Sequence, residues 1–412
     1  MALVPPSWSG VIVQFGKHAD MKRARDHEYL GLPVSLESEK RLFVSVPANN
    51  PKVIDQGRLE FLLAALVEDY AADVLEDYQY SAERVGQWEE MFPGVDPSAL
   101  PSTADVNSLY DVLRAIDIEP AWTKNRGEGA TIAIVDSGID GSLPDFQGSR
   151  RVGGWASGRS DPWTDSRGHG TMCASIAAGS RELGGSADGV APRAGIISCK
   201  TSYRESELSL IYDYLTSQVR DGLHGLVVSN SFGIPTGSPP TKPTAPPFLS
   251  ALRDAVAAGM VVVFSAGNYH IVAGGQKDEC DPNTIWTYKS LAGVLTVGAA
   301  RPDGTIWDYS SRGPGQWAGQ AETAPKPDVV GVVPPDARIR VGKVERVFAK
   351  GWGTSGAAPQ VAGLAAILLS HRPGSTSAAV RTAIQSGAVN LGLNPTCQGS
   401  GRISASRALS LL

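Results

Sequence analysis

The sequence predicts an α/β fold built on a largely parallel sheet, preceded by a smaller α+β region. Three observations carry that prediction. From about residue 105 onward, short apolar runs recur without alternation: "TIAIVD", "AGIISCK", "GLVVSN", "MVVVFSAGN" and "GVLTVGA". Strands covered on both faces read this way. Helical segments fall between several of them, Glu205 to Asp221 and Phe248 to Ala258 among others, which is the alternation of a parallel sheet. The first 80 residues have a different rhythm.

That first region opens with a strand-like "VIVQF" and a charged helical segment, Lys17 to Tyr29. A strand "RLFVSVP", an amphipathic helix around Leu59 to Asp69 and a closing strand in "ADVLEDYQYS" follow. The order is β-α-β-β-α-β, that of a small ferredoxin-like domain. We place it at residues 1–81. Residues 82–104 hold "FPGVDPSALPS" with little periodicity and read as a linker. The α/β domain then runs over 105–412, with the Pro-rich "IPTGSPPTKPTAPP" as a surface insertion.

Composition narrows the function classes. The chain is 42% hydrophobic and 19% charged, with a formal net charge of −5. Nothing in that balance marks a nucleic-acid or polybasic membrane surface, and no uninterrupted apolar run reaches transmembrane length. The N-terminal "MALVPPSWSG" does not resemble a secretory signal. Cys173, Cys199, Cys280 and Cys397 are too few and too scattered for a disulfide framework, and no C-x-x-C spacing exists. A reducing, cytoplasmic setting is the expectation.

The stretch "KGWGTSGAAPQVAGLAAILL" admits two chemistries. Gly351, Gly353 and Gly356 spell G-x-G-x-x-G between a β-like run and an apolar helical run, the context of a dinucleotide-binding turn. That reading needs an acidic residue about 20 positions on, after a second strand. No Asp or Glu follows Glu345 at all. The same glycines surround Ser355, a nucleophile if an imidazole can take its proton.

Among six histidines, His169 stands out, between two glycines where a helix of small residues begins ("DSRGHGTMCASIAAG"). A helix-capping turn is the plainer account of those residues. Asp136 ends "TIAIVD" at the carboxyl end of a buried strand, where open α/β sheets place their sites. Asn268 ends "VVVFSAGN", and its amide is the kind of donor that stabilises an oxyanion. Either residue alone also suits a simple turn.

Taken together, these segments resemble the subtilases, the subtilisin-like serine proteases. "IAIVDSGID", "GHGT" and "GTSGAAPQVAG" are similar to the family's aspartate, histidine and serine motifs, in the Asp-His-Ser order. "SNSFG" resembles its substrate-binding strand and "SAGN" its oxyanion segment. "GVAPRAGI", "LTVGAARPDGTIWDYSSRGPG" and "KPDVV" resemble framework segments. The N-terminal region, through "VLEDYQYSA", resembles the family's inhibitory propeptide.

The resemblance implies a doubly wound, mostly parallel sheet with helices on both faces and a serine endopeptidase made as a self-inhibited zymogen. It implies His169 as general base, Asp136 as its orienting carboxylate, Ser355 as nucleophile and Asn268 as oxyanion donor. Ser231, Phe232 and Gly233 would take substrate as an added strand. The pocket beside it would be walled by Ser265, Ala266 and Gly267. Partners would be protein or peptide substrates and the chain's own N-terminal domain. No cofactor is required; Asp140 and Asp145 are candidates for structural calcium. Cys173 reads as a buried structural thiol, His270 as a loop histidine, and Pro359 as tolerable in the first turn of the serine helix. The pH dependence of a histidine base would fall near ~6–7. This chain departs from the family at Gly356, where methionine is usual, and at Gln360, where histidine is usual. Leu143 and "GVVPPDA" depart as well.

Overall fold

The computed structural model describes residues 108–233, 247–277, 283–315, 325–335 and 351–412 as long stretches. It also describes 11–26, 34–37, 41–44, 73–76, 81–82, 279–280, 337–341, 344–348 and positions 59, 62, 63 and 66. The chain forms two compact units. One gathers Met1–Tyr80 with Ser202–Ser217 and Ala245–Ala255; the other gathers Ser81–Thr201, Gln218–Thr244 and Val256–Leu412.

In the first unit, β1 (Val11–Gln14), α1 (His18–Asp26), β2 (Val34–Glu37), β3 (Arg41–Val44) and β4 (Asp73–Glu76) follow in order. The strands make a sheet β2-β3-β1-β4 with antiparallel neighbours. That is the strand order a β-α-β-β-α-β chain of ferredoxin type produces. Val11, Val13 and Phe15 pack with Met21, Leu42 and Val44. Leu59, Leu63 and Leu66 join them, at the spacing of one helical face; the rest of the helix expected at 59–69 lies largely outside the described residues. Within the same unit, buried Arg41 makes an ion pair with Asp213 at 2.6 Å.

The second unit begins with the two-residue strand β5 (Ser81–Ala82). The linker expected at 82–104 lies, apart from Ala82, outside the described residues, as does most of the Pro-rich insertion. Two short helices, α2 (Leu109–Ala115) and α3 (Glu119–Trp122), precede β6 (Thr131–Asp136). The chain continues through β7 (Arg151–Ala156), α4 (His169–Ala178), β8 (Gly195–Lys200), α5 (Glu205–Arg220), β9 (Leu226–Asn230) and β10 (Phe232–Gly233). Next come α6 (Pro247–Ala257), β11 (Val261–Ser265), β12 (Leu295–Ala300), β13 (Val329–Val332), β14 (Ala337–Val341) and β15 (Val344–Phe348). Of these, α5 up to Ser217 and α6 up to Ala255 belong to the first unit. The helices α7 (Gly353–His371), α8 (Ser377–Ser386), α9 (Pro395–Gln398) and α10 (Ala405–Ser410) close it.

Seven strands form one parallel sheet, β13-β12-β11-β9-β6-β8-β7. The five apolar runs read from the sequence are its β6, β8, β9, β11 and β12. The edge strand β7 carries "RVGGWA", partly exposed and without an apolar run. The segment after β13 forms the antiparallel hairpin β14–β15 before the serine helix.

Helix α7 is buried from Gly353 to Leu369. Its apolar residues run right round, as a helix inside a core requires. It packs against β6, β9, β11, β12 and β13 and beside α4. Pro359 lies inside α7 and not in its first turn, contrary to the sequence expectation. Gln360 resolves a departure noted above: its amide accepts from Val332 N at 3.0 Å and donates to Val332 O at 2.7 Å. It also donates to Gly356 O at 2.8 Å, so it rivets α7 to the end of β13. Cys280 and Cys397 form a disulfide across 117 residues. The sequence argued against a disulfide framework and left the state of these two cysteines open; one bridge joins them, because sequence distance says nothing about proximity after folding.

Candidate active site

In the sheet order β11-β9-β6, three neighbouring strands end together: Val135 pairs with Asn230, and Asn230 with Phe264. Asp136, the Ser231–Gly233 segment and the Ser265–Asn268 segment therefore project from one carboxyl edge, where parallel sheets gather their functional groups. His169 opens α4 and Ser355 sits in the first turn of α7, and these two helices pack side by side.

His169 and Asp136 are both buried, and His169 Nδ1 lies 2.8 and 2.9 Å from the two Asp136 carboxylate oxygens. With Nδ1–H donated to the carboxylate, the lone pair falls on Nε2. Burial opposes the charged ring, yet the Asp136 carboxylate holds His169 well above its ordinary value of 6.5. A glycine makes the approach possible. A Cβ on Gly170 would overlap the Gly138 carbonyl and stand 3.0 Å from Asp136 Cβ.

A residue absent from the sequence reading secures this pair. Asp165 accepts from Gly168 N at 2.9 Å and from Ser137 Oγ at 2.9 Å through one oxygen. Its other oxygen accepts from Thr171 N at 2.9 Å and Thr171 Oγ1 at 2.7 Å. Ser137 Oγ in turn accepts from Gly170 N at 3.0 Å. Asp165 thus satisfies the open N–H groups at the start of the His169 helix. The Asp preceding "SRGHG" was the available signal, a capping residue just before a helix start.

Asn268 is equally fixed. Its Oδ1 accepts from Thr354 N at 3.0 Å and Thr354 Oγ1 at 2.9 Å. Two donors on Oδ1 settle which end of the amide is oxygen, so Nδ2 is its donor end. A Cβ on Gly353 would lie 2.9 Å from that Nδ2. Thr354, one residue before Ser355, was not singled out by the sequence.

The Ser355 carbonyl is bound from two sides, by Ser231 Oγ at 3.1 Å and by Cys173 Sγ at 3.5 Å. Cys173 Sγ also lies 4.0 Å from His169 Nδ1. Burial pushes the Cys173 thiol up, which keeps it a protonated donor. Asp136, His169 and Cys173 form the one cluster of metal-ligand type among the described residues. Its groups are engaged with each other.

Phe232 and Gly233 pair antiparallel with Ala82 and Ser81. Ser265, Ala266 and Gly267 are buried where β11 ends. His270, buried, donates through Nε2 to Gln276 O at 2.6 Å, the behaviour of a loop histidine.

Asp140 and Asp145 serve different partners. Asp140 caps Ser142 through its N and Oγ, at 2.9 and 2.6 Å. Asp145 is buried, accepts from Ser180 N at 3.4 Å, and its carboxyl is pushed up by burial. The Arg150 guanidinium adjoins it, bonding Asp145 O at 2.8 Å. Calcium takes several ionised or carbonyl oxygens, and Asp140 and Asp145 each accept from separate protein donors.

Residues 127–401 match the model of the Subtilase family. Subtilisin E of Bacillus subtilis (strain 168) is 29% identical over 285 residues, 68% of this chain and 66% of that protein. The chain thus spans just under two thirds of that relative. Thermitase of Thermoactinomyces vulgaris is 29% identical over 297 residues, 71% of this chain and 93% of its own. Among solved structures, fervidolysin from Fervidobacterium pennivorans, a keratinolytic enzyme related to subtilisin, aligns with a TM-score of 0.67 at 18% identity. That alignment covers 98% of this chain and 61% of fervidolysin, and it is a likeness of fold. The chain belongs to the Subtilase family.

Proposed function

We propose that this chain hydrolyses peptide bonds through Asp136, His169 and Ser355, with Asn268 as oxyanion donor, and that it is made as a self-inhibited zymogen. The observation that carries the reading is the buried His169–Asp136 pair, Nδ1 to Oδ1 at 2.8 Å. A carboxylate on Nδ1 fixes the tautomer in which Nε2 is a base.

In this mechanism Nε2 of His169 takes the Ser355 hydroxyl proton as the oxygen attacks the scissile carbonyl. Asp136 stabilises the resulting imidazolium. Negative charge moves to the carbonyl oxygen, toward Asn268 Nδ2 and the Ser355 N–H, at the positive end of α7. Nε2 then gives its proton to the leaving amine, the acyl bond to Ser355 remains, and water cleaves it by the reverse sequence of proton transfers. No step passes through a metal.

Substrate would lie antiparallel against Phe232–Gly233, main chain to main chain. The chain's own Ser81–Ala82 adopts that pairing, which supports residues 1–81 as an intramolecular inhibitor whose tail enters the site as a substrate would. Cleavage would then fall between about residues 80 and 105. The Cys280–Cys397 disulfide supports maturation in an oxidising compartment rather than a reducing one.

The test is N-terminal sequencing of purified protein after incubation, beside Ser355→Ala. A new N-terminus in that window, absent from the variant, is expected. An intact wild-type chain that neither cleaves casein nor reacts with a fluorophosphonate would sink the assignment and leave a latent scaffold as the better reading.

A further inference from the structure

Gly356, the residue after the nucleophile, stands inside a helix, where glycine is less stable than alanine. Its φ is not positive, so no left-handed backbone explains it. The explanation is steric and comes from Trp352. A Cβ built on Gly356 would overlap Trp352 Cδ1 and lie 2.5 Å from its Cγ and Nε1. The five-membered edge of the indole therefore lies against the Gly356 Cα.

Trp352 is fully buried and is the N-terminal boundary residue of α7. Its carbonyl accepts from Gly356 N at 3.2 Å, so backbone and ring enclose the same turn. Ser355 lies within that turn. The ring packs in the core that also holds Trp307, Val333, Ala357 and Val361. The indole N–H is buried and finds no acceptor among the described residues. An unsatisfied buried donor is a cost that calls for a compensating role, and the ring is held by packing alone.

We propose that Trp352 is a positioning residue for the nucleophile. Its indole occupies, from the N-terminal side, the space that a side chain at 356 would fill, and thereby fixes the turn carrying the Ser355 hydroxyl and N–H. Trp352 and Gly356 form one unit: the large residue at 352 requires the absent side chain at 356. This rests on Ser355 being the nucleophile. Because Trp352 is buried beneath the turn, its influence falls on kcat and not on substrate affinity.

A double-mutant comparison tests it, using enzyme matured from the full-length chain, a peptide substrate, fluorophosphonate labelling and thermal melts at one pH. In the wild-type background, Gly356→Ala is expected to lower kcat roughly 10²-fold, the scale of a misplaced reacting group. KM should stay within about twofold, as for an interaction made only in the transition state. In the Trp352→Leu background, where the indole edge is gone, Gly356→Ala should raise kcat and labelling rate. Should Trp352→Leu not fold, Trp352→Phe takes its place, and there the Gly356→Ala loss should shrink. Equal losses in both backgrounds would overturn the proposal. So would melting shifts with kcat unchanged, since Trp352 would then be structural only. Wild-type enzyme that fails to label overturns the protease reading as well; wild type that labels normally without the background dependence overturns this proposal alone.

Discussion

Ser231 Oγ donates to the main-chain carbonyl of Ser355 at 3.1 Å. The bond exists because Pro359, four residues further along α7, has no N–H to offer that carbonyl. Cys173 Sγ supplies a second donor at 3.5 Å. The helical bond lost to proline is thus exchanged for tethers to the segment before β10 and to the helix that His169 opens. Both hold the residue proposed as nucleophile.

Ser231→Ala should therefore lower stability by about 1 kcal/mol, the ordinary value of one such bond, and should lower kcat as well. Restoring the helical donor tests the cause. Pro359→Ala should recover part of the loss in the Ser231→Ala background and recover nothing in the wild type. Chemical denaturation and steady-state kinetics on the four proteins decide it; losses that simply add would refute the exchange.

The His169 pair sets the pH dependence. In the proposed mechanism His169 must be neutral to act as base, and its proton is held above the ordinary 6.5. Activity should accordingly rise with pH on the alkaline side of that value, later than the sequence expectation of ~6–7. Asp136→Asn removes the charge that raises it, so the limb should move acidward while kcat falls roughly 10⁴-fold. Stability moves the other way. A histidine raised by folding stabilises fully below the unfolded value near ~6.5, and that contribution disappears as pH climbs through the folded value. Melting profiles of wild type and Asp136→Asn should diverge at neutral pH and converge at high pH.

Asp165 offers a test of positioning from outside the reacting groups. Asp165→Ala removes the acceptor for Gly168 N, Thr171 N and the Ser137 hydroxyl. A loss of roughly 0.5–2 kcal/mol is expected from the cap alone, with a fall in kcat and little change in KM. Asp165→Asn keeps one oxygen and should recover part of kcat. A variant that melts earlier but turns over normally would limit Asp165 to a structural role.

The strands that carry the site were legible because they are buried on both faces and end in polar residues: β6 at Asp136, β9 before Ser231, β11 before Asn268. Edge strand β7 was not, because an exposed edge imposes no apolar run. The Cys280–Cys397 disulfide was illegible for the same reason as the Trp352–Gly356 contact. Each depends on which atoms meet after folding, and periodicity does not encode that. Pro359 was misread because the rule that keeps proline to the first turn assumes no other donor can reach the freed carbonyl. Here Ser231 and Cys173 reach it.

The first unit holds a contact that bears on latency. Arg41, 1% exposed, reaches both Asp213 oxygens through Nη1 at 2.8 and 2.6 Å, and Gln14 Oε1 through Nε at 3.2 Å. Arg41 belongs to the N-terminal sheet and Asp213 to the part of α5 in that same unit, so under the proposed division into inhibitor and protease the pair would join the two. Asp213→Ala would leave a buried guanidinium without its counter-charge, at a cost of roughly 2–5 kcal/mol. The lower end is expected, since Asp213 is 22% exposed and its charge is partly solvated. Inhibition of the processed enzyme by its released N-terminal segment should weaken by at least tenfold, about 1.4 kcal/mol. Replacing both partners with apolar residues, Arg41→Met with Asp213→Leu, should restore much of it, because no charge is then buried alone. Undiminished inhibition in Asp213→Ala would show that the ion pair does not hold the inhibitor, and the Ser81–Ala82 strand would have to account for latency instead.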